Sequence, residues 1–226
     1  MIFIDDNYNL KNNIERLLRL DDYVFAQYIL SKDYLYAKID EIQINTLIKE
    51  SVKCAEGEFK KIKYYEDFGD ICDIANKNNI KILYSNDIDE YFPCFSLFNE
   101  KRNTIYIFNK TIKTVEEVIT KNNLNLIFGD VKLENIAFYH EFFHFIESKN
   151  SDIYTRKKNI VVSGILKYKY KLRSIGVSEV AAVHFSKLMS GISFSPVLYE
   201  LLLLYYIKGI NILDILEFAL NKKGSF

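Results

Sequence analysis

The clearest chemical signal in this 226-residue chain is two histidines four residues apart with a glutamate directly after the first, in His140-Glu141-Phe142-Phe143-His144. The sequence holds three histidines in all, so two in one pentapeptide concentrate its metal-ligand capacity in one place. On a helix, positions four apart share a face, and two imidazoles there can hold a single ion. Glu141 is rotated off that pair yet adjacent to it, where a carboxylate can take a proton from water held on the ion. Such a pattern belongs to metal-assisted peptide hydrolysis. Apart from Glu141, no residue from Ala137 to Ile146 is acidic, lysine or arginine, as suits a helix buried beneath a cleft.

A catalytic zinc takes three protein ligands and keeps one open position, so a third donor is needed. The metzincin arrangement wants Gly and His three and six residues after the second histidine; Glu147 and Asn150 stand there instead, which excludes it. Glu147 as a ligand would reach awkwardly along its own helix, and it reads as a solvated carboxylate at the helix end. Glu179 is the favoured donor, because an isolated acid opening the apolar run after Ser178 needs a reason to face inward. His184 is the competitor, as alternative ligand or as transition-state stabiliser. Residues five apart on a helix differ by about 140° in direction, so Glu179 and His184 do not suit one ion together. The expected site is therefore one Zn2+ per chain on His140, His144 and Glu179, with Glu141 as general base. Tyr154, Tyr168 and Tyr170 are further candidates for stabilising an oxyanion. Cys94 reads as a buried or hairpin thiol rather than a cap on the ion.

The elements that must position these groups follow from periodicity. Residues 8–31 read as helical, broken at Asp21-Asp22, where either acid can cap a second helix. Residues 41–63 carry apolar positions at helical spacing, and a further helix at about 65–78 stops in Asn-Lys-Asn-Asn. The period then changes to two. Ile80–Tyr84, Cys94–Phe98 and Thr104–Phe108 read as strands, the last two joined across a polar turn, with either able to offer an edge to an extended substrate. Helices are expected at about 115–122, 133–148, 177–190, 197–208 and 211–222, the fourth of these opening on Ser195-Pro196. Residues 152–158 read as an exposed loop, and 159–172 fit either a helix or an irregular apolar-basic segment. The fold class is α+β, predominantly helical, with a small antiparallel sheet over about residues 80–109 packed near the His-Glu-x-x-His helix. Residues 1–64 form a helical N-terminal region, for packing or for a partner, and 65–226 the metal-bearing domain, unless both make one continuous domain.

Thirty basic and thirty acidic residues cancel and are interspersed, leaving no electrostatic footprint for direct nucleic-acid binding. The most apolar run, Val197 to Ile212, is interrupted by Glu200 and Lys208 and falls short of a membrane span. An acidic pair, Asp5-Asp6, sits where a signal peptide needs positive charge. Cys54, Cys72 and Cys94 are odd in number and widely spaced, so a reducing cytoplasm is the expected home.

In the order of its features the chain resembles the ImmA/IrrE-type family of bacterial zinc metallopeptidases. The resemblance runs over about residues 65–190: a helix ending Ile71-Cys72-Asp73-Ile74-Ala75, strand Ile80 to Tyr84, hairpin Cys94 to Phe108, the His-Glu-x-x-His helix, and Glu179 followed by Ala182 and Phe185-Ser186. It implies a gluzincin, zincin-like fold, zinc on His140, His144 and Glu179, and Glu141 as base. It also implies a protein or peptide substrate such as a DNA-binding transcriptional repressor. Phe142-Phe143 replace the family's usual Leu-Gly inside the signature. The alternative is a metal-containing regulatory protein that sequesters a partner without cleaving it; Glu141 argues against that, since a binding protein needs no base beside its ligands.

Overall fold

The structure is a computed structural model, and it describes residues 6–65, 70–86, 94–163 and 169–221. Eleven α-helices, two short 3-10 helices and five strands appear among them, in a predominantly helical α+β arrangement. The chain begins with α1 (Asp6–Leu17) and α2 (Asp22–Ser31). The break between them falls at the acidic pair because the Asp21 carboxylate accepts a hydrogen bond from the Tyr23 amide, capping α2. The long α3 (Glu41–Tyr65) follows, and then α4 (Ile71–Lys77), whose Asp70 and Asp73 form a reciprocal capping box.

β1 (Lys81–Ser85), β2 (Ser96–Asn99) and β3 (Thr104–Phe108) form a three-stranded sheet in the order β1-β3-β2. The sheet is mixed, which corrects the purely antiparallel expectation: β2 and β3 are an antiparallel hairpin, whereas β1 runs parallel to β3. A parallel partner is set by how the chain returns to the sheet, which alternation within a strand does not record. β3 is central, so of the two strands offered for edge pairing only β2 lies at an edge.

α5 (Asn109–Lys121) starts six residues before its expected position, directly off β3, and the short α6 (Asn125–Phe128) follows. The signature helix is α7 (Leu133–Lys149). The expected loop at 152–158 contains a short helix, α8 (Tyr154–Lys157), with Thr155 buried. Within the undecided segment 159–172, the described residues form two antiparallel strands, β4 (Asn159–Ser163) and β5 (Lys169–Arg173), and residues 164–168 lie outside the described residues. Lys169-Tyr170-Lys171-Leu172-Arg173 alternates with period two, a strand signal that the run of basic residues obscures. α9 (Ile175–Ser190), α10 (Val197–Lys208) and α11 (Ile212–Leu220) complete the chain. Gly191 and Gly209, at φ +64° and +62°, end α9 and α10 in the left-handed conformation that a side chain disfavours.

α9 is the central support. It packs against α7 on one side and α3 on the other, with α2 also touching it. Ala181 and Ala182 are fully buried and keep the helices close. The N-terminal region holds the start of α9 as well: Asp33 Oδ2 accepts from Ser174 Oγ at 2.5 Å and from the Gly176 amide at 2.8 Å. A Cβ on Gly176 would stand 2.9 Å from Leu30 Cδ1 and 3.1 Å from Asp33 Cβ, so glycine lets the start of α9 approach these residues without displacing them. Among the described residues, no helix is long and apolar enough to cross a membrane.

Candidate metal centre

α7 is buried on most sides, with Phe138, Phe142 and Phe143 in the core. The Phe142 ring stacks between Phe138 and Phe145, and Phe143 packs against Phe185 of α9. The bulky pair inside the signature therefore locks α7 to its neighbours and turns His140, Glu141 and His144 toward the cleft. α9 brings Glu179 across from the other wall.

The three donors converge. His140 Nε2 lies 3.2 Å from Glu179 Oε2 and 3.3 Å from His144 Nε2, and His144 Nε2 lies 3.4 Å from Glu179 Oε1. Ligands about 2.05 Å from a tetrahedral ion stand about 3.35 Å apart; the two imidazole nitrogens lie at that spacing from each other and each from one oxygen of the Glu179 carboxylate, Oε2 beside His140 and Oε1 beside His144. These residues can hold a metal ion, and they form the one such group among the described residues. Burial pushes the Glu179 carboxyl up, but hydrogen bonds and charge from His140 and His144 outweigh it and hold the group well below the usual carboxylate range. Burial works to lower the His144 pKa, yet Glu147, Glu179 and Glu141 together raise it well above the ordinary imidazole value. These carboxylates thus make His144 an electron-rich donor, and a proton competes for the same lone pair.

Glu141 is 7% exposed and pinned from the sheet. Ser96 Oγ lies 2.9 Å from its Oε1, and the Phe98 amide donates to its Oε2 at 2.8 Å. Both donors come from β2, so the edge strand and the glutamate meet at the same wall. One side of the centre opens into a cavity of about 210 Å3 walled by Phe95, Leu133, Ile136, Val183 and Val197. The other opens into one of about 580 Å3 reached by Leu97, Phe98, Ile175, Arg156 and Arg173. Cys94 lines both cavities but is not one of the converging donors.

His184 points away from the centre. Its Nε2 is buried without a hydrogen bond, 3.9 Å from Glu56 Oε1, and burial lowers its pKa. With Val180 and Lys187 it lines a separate cavity of about 420 Å3 between α9, α2 and α3. The angular argument that separated it from Glu179 accounts for this. Tyr154 is likewise directed elsewhere: its hydroxyl is buried without a hydrogen bond, near Glu50 and Cys54 of α3, and burial pushes its pKa up to about 12. Tyr168 and the side chain of Tyr170 lie outside the described residues.

Glu147 is the main departure. The sequence reads it as a solvated helix-end carboxylate, whereas in the structure it is 5% exposed, with its Oε2 3.0 Å from His144 Nδ1. Side chains on a helix lean toward the N-terminus, so a glutamate one turn beyond a histidine falls back over its ring. That lean, applied to the spacing of three, is the sequence signal that identifies it. Ser96 and Ser178 carried no such signal.

No family model matches the chain, and no curated protein or solved structure matches it either, so the chemistry of the centre rests on its geometry.

Proposed function

We propose that the chain is a zinc-dependent endopeptidase of the gluzincin kind, a divergent relative of the ImmA/IrrE-type metallopeptidases. The observation that carries this reading is the convergence of His140, His144 and Glu179 at tetrahedral spacing with Glu141 beside them. The donor set suits zinc: two imidazoles and a carboxylate leave a fourth position open, as catalytic sites do. Held by His140, His144 and Glu179, a zinc ion would supply Lewis acidity for activating water and polarising a carbonyl.

The chain's own residues do the rest. Glu141 takes a proton at a carboxylate oxygen from the attacking water and passes it to the departing amine. Ser96 and the Phe98 amide fix its orientation, so no reorganisation is needed when the proton moves. β2 is an edge of its sheet beside the cleft, where an extended substrate segment can add as a further strand. A protein substrate such as a transcriptional repressor follows from the resemblance in sequence alone.

The test is metal content together with zinc-dependent cleavage of a proteome-derived peptide library, read as new chain termini by mass spectrometry. Wild type is expected to hold zinc and generate new termini. Glu141→Gln is expected to hold zinc while cleavage falls by about 10²–10⁴-fold, the usual share of a general base. Purified wild type without metal sinks the proposal. Zinc-loaded wild type that retains a partner intact, and no better than Glu141→Gln does, supports sequestration instead.

A further inference from the structure

We infer that Glu147 and Ser178 are positioning residues that set the tautomer of His144, so that its Nε2 faces His140 and Glu179. The inference rests on the metal-site reading above. Glu147 Oε2 lies 3.0 Å from His144 Nδ1 and 2.6 Å from Ser178 Oγ, and Ser178 Oγ lies 3.3 Å from the same Nδ1. An ionised carboxylate only accepts hydrogen bonds, so the contact to Nδ1 places a proton on that nitrogen. In the neutral ring the Nε2 lone pair is then left for the metal. The serine hydroxyl donates to the same oxygen from beside the ring, which fixes the carboxylate against Nδ1.

The geometry around this pair is built. Glu147 and Ser178 are both buried, at 5% and 6% exposure, so their contacts do not exchange with water as surface contacts do. Arg156 donates from one guanidinium nitrogen to the carbonyls of Glu147 and Ser148, each at 2.9 Å, holding the end of α7 where the carboxylate starts. Ser178 immediately precedes Glu179, so one turn of α9 delivers both the third ligand and the hydroxyl that orients the second. The spacing between α7 and α9 at the centre and the proton position on His144 are thereby coupled. Outer groups that orient a metal-bound histidine are worth about 10–100-fold in metal affinity.

The experiment compares the full chain as wild type, Glu147→Gln and Ser178→Ala. Zinc affinity is measured by competition with a chelating dye, and ring 15N spectra are recorded with zinc and, without it, at alkaline pH where the ring is neutral. Three histidines in the chain make assignment direct. Wild type is expected to carry the His144 proton on Nδ1. Glu147→Gln is expected to bind zinc about 10–100-fold more weakly. Its amide can turn its NH2 toward Nδ1 and drive the proton to Nε2, a change a merely structural role does not produce. Ser178→Ala is expected to weaken zinc severalfold, and it decides the matter if Glu147→Gln fails to fold. Wild-type affinity in the variants, or a wild-type proton on Nε2, overturns the inference. Should wild type take up no zinc, the metal-site reading falls, and the metal-free ring spectrum still judges the Glu147 pairing separately.

Discussion

Truncating Glu179 to alanine removes one of the three donors while leaving α7 intact. The side chain is 38% exposed, so the change opens no enclosed hole in the core. A tetrahedral zinc site in a small domain is worth about 10–16 kcal/mol at neutral pH, or about 2.5–4 kcal/mol for each of four ligands. At 1.4 kcal/mol per factor of ten, losing one donor weakens binding about 10²–10³-fold. One effect opposes this. Glu179 helps raise the proton affinity of His144, so removing it lessens proton competition and returns part of the loss. The lower figure, about 100-fold, is therefore the one to test. Zinc at 100 times the wild-type Kd stabilises the folded chain by about 2.7 kcal/mol. At about 2–4 °C per kcal/mol for a chain of this size, the melting temperature rises by about 5–11 °C. The same concentration only equals the variant's Kd, contributing about 0.4 kcal/mol and a rise of about 1–2 °C. Differential scanning calorimetry with and without zinc distinguishes these outcomes. A Glu179→Ala shift as large as that of wild type refutes the assignment of Glu179 as the third ligand.

Other outcomes follow from the same geometry. Zinc uptake displaces a proton from His144, whose pKa is raised in the metal-free chain, so zinc affinity falls as pH is lowered from 8 toward 6; calorimetry in buffers of different ionisation enthalpy counts the protons. Metal-free stability has a different slope. The raised His144 contributes fully below its ordinary value of 6.5 and loses that contribution as pH rises through its folded pKa, while the lowered Glu147 and Glu179 contribute fully above 4.5 and lose it as pH falls through theirs. For these groups the metal-free optimum lies between pH 4.5 and 6.5, which denaturant titrations at several pH values check. Ala182→Leu inserts three carbons into the fully buried approach of α9 and is expected to cost about 1–3 kcal/mol, with weaker zinc binding as α9 is displaced. Unchanged zinc affinity in that variant would mean α9 spacing does not set the position of Glu179.

The sequence by itself determined which groups converge on the candidate metal centre and the helix that presents two of them. Four-residue spacing places His140 and His144 on one face whatever surrounds them, and the 140° offset between Glu179 and His184 separates a cleft residue from one on the far face of α9. The Asp21 cap was equally legible, because it acts on an amide two residues away, whereas the Asp70 cap of α4 falls inside the helix that periodicity places over 65–78. Local rules fail where partners are distant in sequence. The direction of β1 depends on a partner more than twenty residues away, and the ribbon of β4 and β5 became strands only by pairing with each other. The tertiary structure alone decided that Ser96 and Phe98 hold Glu141 and that Asp33 caps the start of α9. Those contacts span 43 to 143 residues of chain. Glu147 lies between the two cases: its lean onto His144 is local, but its burial requires α9 to bring Ser178 over it. A carboxylate's partners, rather than its position on a helix, decide whether it faces water or a metal ligand.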